Sequence, residues 1–252
     1  MEGRVAVVTG AGRGIGRAAA KLLARRGARV LGVARTESEL ETLAGEAAVE
    51  VLAESVATEV GCERIVATAR ERLGSVEILV NNAGVGSADE QAIWDQPTEV
   101  WETTLRTNLD GPFFLTRLAA RDMRESGYGR IVMVSSTAGE KGYAAESAYD
   151  ASKHGLLGLM RSVAHDVGTF GGTCNAVLPG WVRTEMAERS ARAEAERRGV
   201  TTDEIWADRA RDYPRGSVLA PEEVADVIAF LASDEAAGVN GEAVTVALGG
   251  AW

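Results

Sequence analysis

The stretch Arg4-Val5-Ala6-Val7-Val8-Thr9-Gly10-Ala11-Gly12-Arg13-Gly14-Ile15-Gly16, "RVAVVTGAGRGIG", decides how the rest of the chain is read. An apolar run ends in a glycine-rich turn, and an amphipathic pattern over 14–26 follows at once. Strand, glycine turn and helix in that order are what dinucleotide binding requires. Gly10 permits the tight turn. Gly14 and Gly16 let backbone and helix approach a pyrophosphate at the positive helix N-terminus.

Working outward, six more apolar runs follow, over 28–34, 48–54, 76–82, 129–136, 172–178 and 242–248. Amphipathic segments lie between them, over 59–73, 98–126, 148–168 and 221–233. Continuous apolarity suits parallel strands covered on both faces. The alternation predicts a single α/β domain of Rossmann type, a doubly wound, seven-stranded parallel sheet. The charged segment 184–216 breaks the rhythm and is expected to be a helical lid or a solvated excursion.

The 252 residues carry a net charge of −10, which argues against a nucleic-acid partner. No apolar run reaches the roughly 20 residues of a membrane helix. The N-terminus lacks the layout of a signal peptide, so the cytoplasm is the expected compartment. Cys62 and Cys174 stand far apart, match no metal or redox spacing, and read as small core residues. With only His154 and His165, neither a histidine metal site nor a Ser-His-Asp triad has much to build on, and no metal is expected. Tyr149 and Lys153, in "ESAYDASKHG", are neighbours on one helix face, where a cation favours a phenolate. That pair is either an acid–base device or a solvated helix face.

The spacing of the glycine turn, followed in order by "NNAG" (81–84), "TNLDG" (107–111), "VSS" (134–136), Tyr149 with Lys153, and "PGWVRT" (179–184), resembles the short-chain dehydrogenase/reductase family over essentially the whole chain. The resemblance makes Tyr149 the general acid/base and Lys153 its partner, which also holds the nicotinamide ribose. Ser136, thirteen residues before the tyrosine, would hold the substrate oxygen. Ser135 is the adjacent alternative. Asn108 would hold a water linking Lys153 to solvent. Cofactor contacts are implied for Gly10, Arg13, Gly14, Ile15 and Gly16, for Asn82, Ala83 and Gly84, for Tyr149 and Lys153, and for Pro179, Gly180, Val182 and Thr184. Homotetramers or homodimers, paired through the 98–126 and 148–168 helices, are also implied.

The end of the second predicted strand bears on the cofactor. Family spacing puts Ala34 where NAD enzymes place a carboxylate for the ribose. Arg35 and Thr36 follow, and Arg13 lies on the same side. Two guanidinium groups there suit a 2′-phosphate, so NADP(H) is expected. Glu37 is either a displaced ribose acceptor or the start of a helix. Glu54 stands where the family usually has an Asp facing the adenine.

The expectation is an NADP(H)-dependent ketoreductase. Its pocket would be bordered by Gly84–Ser87, the 137–148 loop, Trp181 and 184–216, with Tyr143, Met186, Trp206 and Tyr213 as apolar lining. That set favours an apolar, cyclic or polyketide-like ketone. Lys141 or Arg183 would serve a small keto acid. Alternatives are an NAD-linked dehydrogenase acting on a hydroxy acid, diol or secondary alcohol, and a silent cofactor sensor.

Overall fold

The structure, a computed structural model, describes residues 1–250. Seven strands, β1 (Val5–Thr9), β2 (Arg29–Ala34), β3 (Val49–Ala53), β4 (Ile78–Asn81), β5 (Arg130–Val134), β6 (Thr173–Pro179) and β7 (Ala243–Val246), form one parallel sheet in the order β3-β2-β1-β4-β5-β6-β7. This is the doubly wound sheet expected from the alternation of runs. The strand order reverses between β1 and β4, where Val8 registers with Val80. The carboxyl ends of those two strands carry Thr9–Gly10 and Asn81–Gly84, and the crevice outside such a reversal is where ligands bind in open α/β sheets.

Side chains alternate across the pleat, so each strand feeds two cores. Val7, Leu31, Leu79, Ile131, Met133 and Cys174 pack beneath α3 (Glu59–Arg72), α5 (Gly111–Ser126) and α6 (Ser147–Gly168). Val8, Val30, Val80, Val132 and Val177 pack on the other face with α1 (Gly14–Arg25) and α9 (Pro221–Leu231). Both cysteines lie in the first of these cores with reduced thiols, as expected of small apolar residues. α2 (Glu37–Glu46) opens at Glu37 and closes the β2–β3 crossover.

The helix expected over 98–126 is not continuous. It is α4 (Thr98–Leu105), a π turn over Arg106–Asp110, and α5. A π turn inserts one extra residue and re-aims the side chains around it. Asn108 sits in its middle and is fully buried.

Segment 184–216 folds as two helices, α7 (Glu185–Arg198) and α8 (Thr202–Arg211), around a small core of Ala187, Ala191, Ala195, Ile205 and Trp206. Thr184 caps α7 by accepting the Ala187 N–H. The helix stops at Gly199, whose φ of +66° suits a residue without Cβ. A capping box between Thr201 and Glu204 starts α8. Among the described residues no helix is long and apolar enough to cross a membrane.

Candidate active site

The glycine turn is held from both sides of the strand reversal. Thr9 Oγ1 donates to Val80 O (3.3 Å) and accepts the N–H groups of Asn82 and Ala83 (3.0 Å each). The Asn82 carboxamide donates to Thr9 O (2.8 Å) and Gly10 O (3.3 Å), so its side chain braces the turn. A Cβ on Gly16 would lie 2.3 Å from Gly10 O, which excludes any other residue there. No side chain caps α1 and its first turn carries no carboxylate. A helix N-terminus left open behind a glycine turn fits a pyrophosphate. A Cβ on Gly14 would lie 3.2 Å from Thr184 Cγ2, so "PGWVRT" forms the opposite lip of the same crevice.

The adenosine end departs from expectation. Arg13 is engaged by two carboxylates. It is ion-paired with Glu185 of α7 and lies 3.5 Å from Glu39 of α2. A Cβ on Gly12 would meet both the Glu39 side chain and Ala34 Cβ, so a carboxylate lies near the end of β2 although Ala34 itself has none. Arg35 and Thr36 are exposed. Glu54 accepts the Ser55 N–H (2.8 Å) and pairs with Arg64 (2.8 Å).

At the reacting end, Tyr149 and Lys153 lie on successive turns of α6, with the ammonium 5.6 Å from the phenol ring centroid. Tyr149 is hydrogen-bonded to Ser136, and Ser136 Oγ also accepts the Ala138 N–H (3.1 Å). Ser135 instead turns inward, donating to Lys153 O (3.2 Å). Lys153 Nζ donates to Val134 O (2.9 Å) and is almost fully buried. Burial pulls the lysine down to about 8. Burial also pushes the phenol up to about 12; the Ser136 hydrogen bond opposes this, and the Glu146, Asp150 and Glu90 carboxylates add to it.

Asn108 acts as a clamp. Its Oδ1 accepts the Val85 N–H (2.8 Å), and its Nδ2 donates to Val85 O (3.0 Å) and Ser152 Oγ (3.1 Å). Both amide hydrogens are therefore taken within the protein. What it does is fix the Gly84–Val85 backbone against α6, beside Lys153.

The lid touches this crevice through Met186, whose side chain packs on Gly86, and through Arg189, which pairs with Asp89 (3.0 Å). Two of the expected lining aromatics lie elsewhere. Trp206 is in the lid core and donates Nε1–H to Glu188 (2.8 Å). Tyr213 is buried against Gly180, its hydroxyl accepting the Trp181 N–H (2.6 Å). Arg183 stacks on Trp206 (4.0 Å to the ring centroid). The buried Arg209 guanidinium lies 3.6 Å from the Trp181 centroid and 5.0 Å from that of Trp206. It donates to Ala187 O, Ser190 Oγ and Glu194, which locks the lid around it. His154 turns away from the site toward Asp150 O (2.9 Å).

Sequence reasoning missed Glu39, Glu90, Glu146 and Arg209. Glu146 is hydrogen-bonded to Ser87 and holds its proton more tightly than usual because burial disfavours its charge. A lone acidic residue in a loop leaves no periodic signal, and the lid's arginines read as a solvated face.

Comparison with known proteins accords with this geometry. The family model described as enoyl-(acyl carrier protein) reductase matches residues 10–250. The chain is 35% identical over 248 residues to 3-oxoacyl-[acyl-carrier-protein] reductase of Escherichia coli strain K12, covering 98% of this chain and 96% of that one. It is 39% identical over 254 residues to L-rhamnose 1-dehydrogenase (NAD(P)(+)) of Azotobacter vinelandii, covering 96% and 94%. A crystal structure of a variant actinorhodin polyketide ketoreductase with NADPH superposes with a TM-score of 0.93 at 36% identity, covering 98% and 96%. The chain belongs to the short-chain dehydrogenase/reductase family of oxidoreductases.

Proposed function

We propose that this protein is an NADP(H)-dependent ketoreductase that reduces an apolar, cyclic or polyketide-like ketone to a secondary alcohol. The observation that carries the reading is the Tyr149–Ser136 hydrogen bond beside Lys153. The nicotinamide, when bound, supplies the hydride. The chain's own residues do the rest. Ser136 and Tyr149 present two hydroxyls to one carbonyl oxygen, and Tyr149 gives it a proton as negative charge develops. Lys153 puts an ammonium beside the phenol and favours its ionised form once the proton has left. Asn108 holds the cofactor-side backbone in register with α6. The lid, seated through Met186 and Arg189, keeps water from the reacting carbon.

NADP(H) is supported by Arg13 and Arg35 at the adenosine end and by the NADPH in the polyketide ketoreductase structure. Glu39 opposes it, because a 2′-phosphate must displace a carboxylate there. The substrate class is supported by Met186, which packs on Gly86, by exposed Tyr143, and by Arg183, which is stacked on Trp206. The protein works as a homodimer or homotetramer, a reading supported by exposed Trp101 on α4 and Phe113 on α5. Its expected compartment remains the cytoplasm.

The test is NADPH oxidation with 1-decalone against acetoacetate, and with NADH in place of NADPH. A higher kcat/KM for decalone with NADPH supports the reading. A preference for acetoacetate overturns the substrate class, and a preference for NADH overturns the cofactor. A second reading, oxidation of a polyhydroxylated substrate, is favoured by Glu146, a carboxylate at the crevice beside Ser87 and close to Tyr149. Turnover of L-rhamnose with NAD(P)+ above that of decalol would promote it.

A further inference from the structure

The first turn of α6, which carries Tyr149, is not capped from its own sequence. Its N-cap residue, Glu146, makes no side-chain cap, and the Ser147 hydroxyl is buried without a partner. Glu90, 58 and 59 residues earlier in the loop after β4, fills the role instead: its two carboxylate oxygens accept the N–H groups of Ala148 (2.8 Å) and Tyr149 (2.7 Å). Glu90 is only 7% exposed. A neutral Ser or Asn at the N-cap would satisfy one such N–H without burying a charge. The placement of a carboxylate there therefore calls for another account.

Glu90 does not stand alone. Asp150, also buried, accepts the Tyr143 N–H (2.6 Å) through Oδ2, while its Oδ1 has no partner. Glu146 faces the same turn and is bonded to Ser87. Three carboxylates thus lie about the first turn of α6. The opposing groups are Lys153 on the next turn, Arg209 from the lid toward Glu146, and His154 toward Asp150. Tyr143 and the Ser136 hydroxyl complete the surroundings.

We propose that Glu90 is a positioning residue for carbonyl reduction: its buried carboxylate seats the first turn of α6 and places a fixed negative charge at the turn that carries the proton-delivering Tyr149. The inference rests on Tyr149 being the acid. The carboxylate suits the site because both oxygens accept hydrogen bonds and the helix N-terminus favours a negative charge. The charge disfavours phenolate, since like charges repel across a site with little water. The same loop meets the lid one residue earlier, where Asp89 pairs with Arg189.

The test follows Tyr149 directly by NMR of protein with 13Cζ-labelled tyrosine, in complex with NADP+. The chain has four tyrosines, and Tyr149→Phe assigns the resonance. Glu90→Gln is expected to lower the Tyr149 titration midpoint by about half a pH unit or more, with NADP+ affinity unchanged. A midpoint equal to or above that of the wild type overturns the proposal. Should Glu90→Gln not fold, Glu90→Asp decides. It keeps the charge but draws it back by one methylene, so the midpoint stays and kcat for the best ketone falls about tenfold or more. Unchanged kcat in Glu90→Asp overturns the positioning role. If instead Tyr149→Phe keeps its turnover, it is the assignment of the acid that fails, whatever Glu90 does to the titration.

Discussion

The Arg13 guanidinium, in the turn between β1 and α1, is ion-paired with Glu185 at the first turn of α7, 172 residues further along the chain. The pair spans the crevice from the glycine turn to the lid, and Glu39 shares the same guanidinium. Both partners of the Arg13–Glu185 pair are well exposed, so it contributes little stability. Its consequence lies in binding. A 2′-phosphate that takes Arg13 must compete with two carboxylates.

Glu39→Gln is therefore expected to tighten NADPH binding about three- to tenfold while leaving NADH nearly unchanged. Arg13→Ala and Arg35→Ala are expected to weaken NADPH selectively. Nucleotide fluorescence titration measures both affinities without a substrate. Equal changes for the two cofactors would show that this cluster does not read the 2′ position.

Lys153 makes stability and function pull in opposite directions. Its folded value, about 8, lies below the ordinary lysine value of 10.5, so between those two pH values the unfolded chain binds more protons. Stability from this group accordingly rises with pH through that window, and the buried charge is a liability at neutral pH. Lys153→Met is expected to raise stability at pH 7 by about 1–2 kcal/mol, after the lost hydrogen bond to Val134 O is offset, and to abolish turnover. The gain should shrink as pH rises toward 10.5. Denaturant melts at pH 7 and pH 10 check it; a variant less stable than wild type at pH 7 contradicts the reading.

Arg209 holds the lid together through its stack and its three acceptors. Arg209→Ala leaves Trp181 and Trp206 without their shared partner and removes the donors that Ala187 O, Ser190 and Glu194 use. A loss of about 2–3 kcal/mol, confined to α7 and α8, is expected. Hydrogen exchange should show faster opening of 184–211 with β1–β7 unaffected, and KM should rise more than kcat falls. Slower or unchanged exchange in the lid would remove Arg209 from this role.

What the sequence made legible follows from what has a period or a motif. The buried strands announce themselves as runs such as "VAVVT", and glycines at 10, 14 and 16 announce a turn that no other residue can make. Tyr149, Ser136 and Lys153 come together because motif spacing tracks the ends of β5 and α6. The π turn at Arg106–Asp110 was hidden, since its apolar pattern continues through it as in any helix. Trp206 and Tyr213 lie outside the expected lining because an aromatic residue in a lid reads the same in sequence whether it faces substrate or the protein interior. Glu90 was out of reach, because a cap supplied from 58 residues away has no local signature.

The central claim is that Tyr149 gives the proton. Tyr149→Phe removes one hydroxyl from a ring that keeps its packing. The measurement is single-turnover NADPH oxidation with the best ketone, alongside NADPH affinity by fluorescence. The account predicts a loss of about 10²–10⁴-fold in the chemical step with affinity unchanged. A chemical step within a few fold of wild type would contradict it.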